Sequence, residues 1–199
     1  MKKCSFLALV VFILSSSEIN AQGFHLGIKA GTNGAEITGR SFNSGFQWGF
    51  SVGGYAELNI TGKWGLQPEL VYNQVNSQTS ANFNTIINTP DNVGITNRSF
   101  TLNYINIPVL LSYKFLPVLT FQVGPQFGIL MNTSQNITSN GKNPFKTSDF
   151  AGVVGAQVNL MKVKFGLRYT YGFTNINNVN DVDTWKNQNI QAYIGLRLF

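Results

Sequence analysis

The sequence predicts an all-β fold, an eight-stranded antiparallel up-and-down transmembrane β-barrel. First, the even positions of residues 46–60 are apolar apart from Gly54, and most odd positions are polar. Side chains point alternately to the two faces of a strand, and a tilted strand crosses a bilayer in about 9–11 residues. Second, eight such alternating segments occur. Third, the connections between them are alternately long and short.

The composition separates this chain from ordinary soluble and disordered proteins. Of 199 residues, 11% are charged, 13% are aromatic and 20 are glycine, whereas about 25% of residues in a typical soluble domain are charged. The formal charge is +6, but the lysines and arginines are scattered and form no basic run of the kind that binds nucleic acid. We therefore expect no nucleic-acid partner, and we place the cations inside a barrel and near lipid headgroups.

The first residues predict a secretory signal peptide. Two lysines precede an apolar run over 6–14, and small residues including Ala21 follow, which is the usual order of a cleavable export signal. We therefore divide the chain into a signal peptide, 1–21, and a barrel domain, 22–199. Such a signal, followed by a membrane barrel, predicts the outer membrane of a Gram-negative bacterium as the location. The one cysteine, Cys4, leaves with the signal, so disulfides cannot contribute.

Eight segments alternate with period two and are interpreted as the strands. They cover residues 24–30, 46–60, 64–73, 100–113, 119–131, 150–160, 163–173 and 190–198. Pro68 falls inside the third segment and removes one ladder hydrogen bond, which is typical of an edge or a bulge. In the fourth segment the apolar series moves from even to odd positions after Tyr104, which predicts a β-bulge there, caused by one extra residue in that strand.

The connections between these segments predict the orientation of the barrel. Long polar loops alternate with short turns, and outer-membrane barrels have short periplasmic turns and longer outer loops. An even number of strands also lets the barrel close without an edge exposed to lipid. The predicted outer loops are 32–44, 75–98, 132–148 and 174–188, and the predicted periplasmic turns are 61–63, 115–118 and 161–162.

A soluble eight-stranded barrel of the lipocalin type would also alternate, with its apolar residues inside. Its exterior should be rich in Lys, Glu and Asp, whereas the polar faces here are mainly Gly, Gln, Asn, Ser and Thr. Aromatic residues also gather at the strand ends, where the interfacial girdles of membrane barrels lie. They are Phe46, Trp48, Trp64, Tyr113, Phe115, Tyr171 and Phe173. Both features favour the membrane barrel over this alternative.

Six short motifs, spread over the whole mature chain, carry a resemblance to a known family. They are G-I-K-A-G-T-N from Gly27, L-Q-P-E-L-V-Y from Leu66, Y-I-N-I-P-V-L-L-S-Y-K-F from Tyr104, V-G-P-Q-F-G-I-L from Val123, D-F-A-G-V-V-G-A-Q-V from Asp149 and L-R-Y-T-Y-G-F-T-N-I from Leu167. In order and spacing they resemble the PorT-type outer-membrane β-barrel family. The resemblance implies an eight-stranded barrel in a Gram-negative outer membrane and little about activity. Phe199 resembles the C-terminal signal by which the barrel assembly machinery recognises its substrates, although it is out of phase with the apolar face.

Charged residues on the polar strand faces are candidates for ion pairs inside the barrel. Strand direction puts one acid and one base near the middle of the barrel, and it puts a second such pair nearer the short turns. An eight-stranded interior is just wide enough for side chains to fill it, so side chains from opposite walls can meet and plug the lumen. The candidates are Glu69 with Arg168, Glu57 with Arg197, and Lys29 and Lys114 as alternative partners.

The sequence leaves three classes of function open. The first is a structural, accessory or binding barrel that meets envelope proteins through its outer loops, with outer-membrane lipids around it. The second is a small pore, and the third is a lipid-modifying barrel enzyme. His25 is the only histidine, and no serine or acid is identifiable as its partner from spacing, so we expect no enzyme. No residue spacing is typical of a metal or cofactor site, and we expect neither.

Overall fold

The strands close into a barrel in which each strand pairs with its neighbours in the chain and β1 pairs with β8. In the computed structural model, the described residues are 23–39, 42, 45–78, 80, 99–133, 145–178 and 184–199. The strands are β1 Phe24–Thr38, β2 Gln47–Asn59, β3 Trp64–Gln78, β4 Ser99–Lys114, β5 Leu119–Thr133, β6 Ser148–Leu160, β7 Val163–Gly172 and β8 Lys186–Arg197. All neighbouring pairs are antiparallel. The predicted eight-stranded antiparallel barrel is therefore confirmed, while the predicted signal peptide lies outside the described residues.

The strands extend further into the long connections than the sequence predicted. β1 continues to Thr38, where it pairs with Lys186 of β8, and β3 continues to Gln78, where it pairs with Ser99 of β4. The predicted loop bounds 32–44, 75–98, 132–148 and 174–188 are therefore too wide. The polar composition of these extensions hid them, because a backbone ladder forms whatever the side chains are when a partner strand lies alongside.

The outer face of the barrel is apolar and its interior at mid-height is polar. In β2, Phe50 and Val52 are about half exposed whereas Ser51 between them is buried. In β3, Leu70 is exposed whereas the neighbouring Glu69 is buried. A soluble lipocalin-type barrel has the opposite arrangement, so that alternative is wrong. An apolar wall around a closed ladder is what a bilayer requires, since such a ladder pairs backbone groups within the sheet and exposes no strand edge to lipid.

The register between β4 and β5 shifts at Tyr104, where the sequence predicted a bulge. Leu102 and Asn103 pair with Thr133 and Asn132, but Tyr104 pairs with Leu130, so Met131 has no partner in β4. The extra residue therefore lies in β5 and not in β4 as predicted. Even positions of β4 point inward along most of its length. The apolar series changes phase for another reason: the interior itself is apolar at one end of the barrel.

Pro68 lies in the middle of a closed sheet, at neither an edge nor a bulge. The pairing of β2 with β3 is interrupted beside it, between the pairs Tyr55–Glu69 and Leu58–Leu66. Similar interruptions occur near Pro108 and Pro125 in the next two seams. Proline donates no backbone hydrogen bond, so each interruption is local and the register continues unchanged on both sides of it.

Candidate functional site in the barrel lumen

The middle of the lumen contains a buried ion cluster contributed by three strands. The Glu69 carboxylate of β3 accepts two hydrogen bonds of 2.7 Å from the Arg168 guanidinium of β7. Its Oε2 atom also accepts a 2.7 Å bond from Lys29 Nζ of β1. All three side chains are at most 2% exposed. The fork of two parallel bonds is the strongest geometry for an arginine–carboxylate pair. The structure thus brings together Glu69, Arg168 and Lys29, three of the residues singled out in the sequence.

Buried amides complete the hydrogen bonding of this cluster. Gln122 Oε1 accepts from Arg168 Nη2 at 2.7 Å and from Arg168 Nε at 3.2 Å. Gln122 in turn donates to Gln67 Oε1 at 2.9 Å, and Gln67 donates to Glu69 Oε1 at 2.7 Å. Buried ions are tolerated when hydrogen bonds satisfy their remaining donors and lone pairs, and the two glutamines supply this here. The sequence reasoning did not identify them.

Two cations share one carboxylate in this cluster, and an aromatic ring lies beside both. The Tyr193 ring centroid is 4.3 Å from Lys29 Nζ and 4.6 Å from Arg168 Cζ, within the range of cation–π attraction. The Tyr193 hydroxyl donates to Gln157 Oε1 at 2.9 Å. The ring lies over Gly166, where any side chain would collide with it. Gly166 on β7 therefore makes room for the Tyr193 ring, which lies beside both Lys29 and Arg168.

A second ion cluster lies nearer the short turns. Glu57 of β2 accepts a hydrogen bond from Lys164 of β7, and Arg197 Nη2 of β8 lies 3.7 Å from Glu57 Oε2. The sequence pointed to Arg197 as the partner and did not consider Lys164, although Lys164 is on the polar face of its strand. Because the strands are tilted, residues at the same distance from their turns can lie at different positions around the barrel. The sequence spacing alone therefore cannot show which cation meets Glu57. Lys114 donates instead to Asn59 Oδ1 at 3.0 Å.

At the end with the long connections the interior becomes apolar. Inward-facing residues of β1, β3, β4 and β5 form a buried cluster with residues of the loops. Its members are Ala35, Ile37, Phe42, Val75, Phe100, Leu102, Tyr104, Leu130, Phe145, Ile176 and Trp185. This apolar layer was not predicted, because the loops were interpreted as polar segments without periodicity. The signal for it was the presence of single large apolar residues in otherwise polar loops.

Residues from three long connections meet in this apolar layer. The Phe42 ring centroid lies 4.9 Å from that of Trp185, and the Phe145 centroid lies 5.5 Å from Trp185. Backbone bonds of 2.9 Å join Lys146 N to the Ile176 carbonyl oxygen and Ile176 N to the Trp185 carbonyl oxygen. Trp185 is fully buried. The layer therefore combines aromatic packing with a short piece of backbone pairing between loops.

Little free space remains beside the central cluster. A cavity of about 10 Å³ lies between Lys29, Glu69 and Arg168, at the lower limit for one water molecule. A larger cavity of about 160 Å³ lies at the turn end, lined by Glu57, Lys164 and others. The larger of these two cavities thus lies at the end that carries the short turns.

The remaining sequence candidate, His25, lies at the turn end of β1. Its Nδ1 atom is 3.2 Å from the carbonyl oxygen of Phe199. Within the described residues, no group of three or more His, Cys, Asp or Glu side chains could hold a metal ion. No helix in the described part of the chain is long and apolar enough to span a membrane.

A closed antiparallel ladder with an apolar outer wall and charged side chains turned inward defines a transmembrane β-barrel. Residues 19–178 match the family model described as the outer membrane protein beta-barrel domain, and the chain belongs to that family. The protein is thus a β-barrel of the Gram-negative outer membrane. No curated protein matches the sequence.

Several solved barrels are similar in structure. Ail, the attachment invasion locus protein of Yersinia pestis, crystallised with the heparin analogue sucrose octasulfate, has a TM-score of 0.53 and 14% identity, covering 88% of this chain and 99% of that one. A second crystal structure of Yersinia pestis Ail has a TM-score of 0.51 and 11% sequence identity, and the match covers 88% of this chain and 99% of that one. Neisserial surface protein A has a TM-score of 0.49 and 15% sequence identity, and the match covers 87% of this chain and 96% of that one. At these identities the two Ail structures support a shared fold and say nothing about activity.

Proposed function

We propose that this protein is a non-enzymatic outer-membrane barrel of structural, accessory or binding type, with a lumen closed by its own side chains. The observation that carries the proposal is the buried Arg168–Glu69–Lys29 cluster at mid-height. An ion moving along the axis would have to displace hydrogen-bonded groups that touch opposite walls. An interior of eight strands leaves no room to pass beside them.

The apolar layer is a second support for a closed lumen. It lies at the loop end, beyond the ion cluster, and contains Phe100 and Leu102 of the wall together with Trp185 of a loop. Water and ions enter an apolar constriction at a high free-energy cost. The two closures are chemically different and lie at different heights, so loss of one leaves the other in place.

The proposal assigns the binding role to the end with the long loops. Short periplasmic turns and long outer loops are the rule for such barrels, and loops on a rigid scaffold commonly carry function. Lipids of the outer membrane surround the apolar wall, and envelope proteins are the proposed partners of the loops. The order of the six motifs further supports a PorT-type branch of the family.

The pore and enzyme alternatives have weaker support. The cavity at the turn end reaches Gln67 and Gln157, which lie on the near side of the central ion cluster, so it is a vestibule and not a channel. The contact of His25 with a main-chain carbonyl oxygen resembles packing of a strand end and not activation of a nucleophile.

Conductance measurements test the closed lumen. Wild-type protein in planar bilayers is expected to show no steady large conductance. Arg168→Ala combined with Trp185→Ala is expected to add brief openings, because both closures are then weakened. Lys114→Ala, a cation removed from the exposed rim, is the matched control and should stay closed. A steady wild-type conductance would contradict the proposal.

A binding role is tested by crosslinking intact cells and purifying the protein from their outer membranes. We expect a defined envelope partner that is lost when the segment 134–144 is replaced by a glycine–serine linker of equal length. Recovery of the same partners without that segment would show that the loop is not the binding surface.

A further inference from the structure

The two ends of the barrel differ in charge. The described residues of the turn end include five cations and one carboxylate, whereas those of the loop end include two of each sign. The turn-end residues are Lys63, Lys114, Lys162, Lys164, Arg197 and Glu57, and the loop-end residues are Lys146, Lys186, Glu36 and Asp149. The positive potential of the turn end is therefore built into the wall and its turns, and it attracts anions from the compartment that the turns face.

This charge surrounds the 160 Å³ vestibule. Three of the cations, Lys114, Lys164 and Arg197, line it together with Glu57, which leaves a formal charge of +2 on its walls. Lys114 is exposed at the rim, while the Lys164 side chain is 2% exposed. The cavity thus leads from solvent to a buried cation, and its volume is well above that of one water molecule.

Some hydrogen-bond donors of the vestibule cations are not used by protein groups among the described residues. Arg197 lies 3.7 Å from Glu57, which is longer than a hydrogen bond, and its buried Nε has no hydrogen-bond partner among the described residues. A buried donor without a partner costs free energy that a ligand or water can recover. Among the described residues, Lys114 Nζ donates to the neutral Asn59 amide, and that bond does not neutralise its charge.

Neutral polar groups line the inner part of the vestibule. Gln157 donates to Asn159 Oδ1 at 2.6 Å, and Asn159 donates to Thr120 Oγ1 at 2.9 Å. Hydroxyls and amides of this kind can add donors around an oxyanion without adding negative charge. The single carboxylate, Glu57, is already engaged by Lys164.

We propose that this vestibule binds a small oxyanion, a phosphate or carboxylate group, presented from the side of the turns. The planar Arg197 guanidinium provides the paired donors that fit such groups, and Lys114 and Lys164 provide point charges. The ion cluster at mid-height forms the closed end, so the group is held and not transported. The site is independent of the proposed loop function, since it lies at the opposite end of the barrel.

The test is a titration of purified barrel in a neutral detergent with inorganic phosphate, followed by backbone amide shifts in NMR spectra. We expect saturable shifts at the turn ends of β2, β7 and β8. Arg197→Gln should weaken binding about tenfold, the value expected when a hydrogen bond between charged groups is lost. Lys114→Gln should weaken it less, because that side chain is exposed.

The control variants remove cations from the loop end. Lys146→Gln and Lys186→Gln change net charge equally and should leave the phosphate affinity unchanged. Each variant is first checked for the mobility difference between boiled and unboiled samples that marks a folded barrel. Equal weakening by all four variants, or no saturable shift in the wild type, would overturn the proposal.

The source of the oxyanion is distinguished in nanodiscs. If phosphatidylglycerol discs reduce phosphate binding relative to phosphatidylcholine discs, and Arg197→Gln abolishes this competition, the site takes a lipid headgroup. If the two discs give the same affinity, the site takes a soluble anion. Loss of phosphate binding in both discs would contradict the site, because a site built from the barrel wall should persist when the detergent is replaced by a bilayer.

Discussion

The lumen is filled by two different kinds of chemistry at two heights. At mid-height, Glu69, Arg168 and Lys29 are buried and held by hydrogen bonds of 2.7 Å. At the loop end, Phe100, Trp185 and their neighbours pack against one another, with a short piece of backbone pairing between the loops. Directional bonds specify which side chains face one another, whereas apolar packing mainly requires the right volume. We therefore expect the central layer to set the register of the barrel and the loop-end layer to anchor the loops.

The largest expected effect is that of Glu69→Ala. It leaves two cations buried without their carboxylate, and breaking a buried pair by removing one partner costs about 3–5 kcal/mol. Glu69→Ala combined with Arg168→Ala should be destabilised less than Glu69→Ala alone, because one unpaired cation is removed. Urea unfolding in lipid vesicles measures the free energy of unfolding of the two single variants and of the double variant. A double variant equal to the sum of the two single ones would mean that these charges do not interact.

The apolar layer is tested by Trp185→Ala, with an expected cost of about 3 kcal/mol or more from lost packing. The loss should be local: loop proteolysis on folded barrels should accelerate, while the bilayer conductance stays closed because the central cluster remains. Trp64→Ala, at a side chain that is 44% exposed on the outer wall, is the matched control and should not accelerate loop cleavage. Global unfolding by Trp185→Ala at low urea would remove the distinction between the two layers.

A smaller effect separates the two partners of Glu57. Lys164→Ala removes a buried hydrogen-bonded cation and should cost about 1.5–3 kcal/mol. Arg197→Ala removes a cation at 3.7 Å whose side chain is 30% exposed, and such partly exposed pairs contribute about 1 kcal/mol or less. The free energies of unfolding of the two variants decide the order. If Arg197→Ala costs more, the pairing inferred from sequence spacing is the stronger of the two.

The smallest effect on stability is expected from epitope tags, which also test the orientation. Tags inserted in 134–144 and 179–183 should be labelled on intact cells, because long loops face outward in such barrels. Tags in the turns at 61–63 and 161–162 should be labelled only after the outer membrane is permeabilised. Labelling of the turns on intact cells would reverse the orientation, and with it the compartment that the anion vestibule faces.

Local sequence pattern was sufficient for the strands that lie in lipid. In β2, Trp48, Phe50 and Val52 are exposed on one face and Ser51 is buried on the other, as the period of two requires. The pattern failed where the surroundings change along one strand. Even positions of β4 are apolar up to Tyr104 and polar at Asn106, because the interior differs at the two heights while the strand keeps its direction.

The sequence alone determined the strand number, the antiparallel order of consecutive strands and the face that meets lipid, because these depend on the pattern within each segment and on the length of the connection that follows it. Closure of β1 on β8 was expected because an open sheet edge in lipid would leave backbone groups unpaired. Tertiary structure decided which side chains meet across the lumen. Lys164 bonds Glu57 and Gln122 bonds Arg168 because closure and tilt bring distant strands together at a height that spacing does not specify. It also decided that Phe42, Phe145 and Trp185 pack over the barrel, since residues in aperiodic loops acquire partners only when the strands beneath them close.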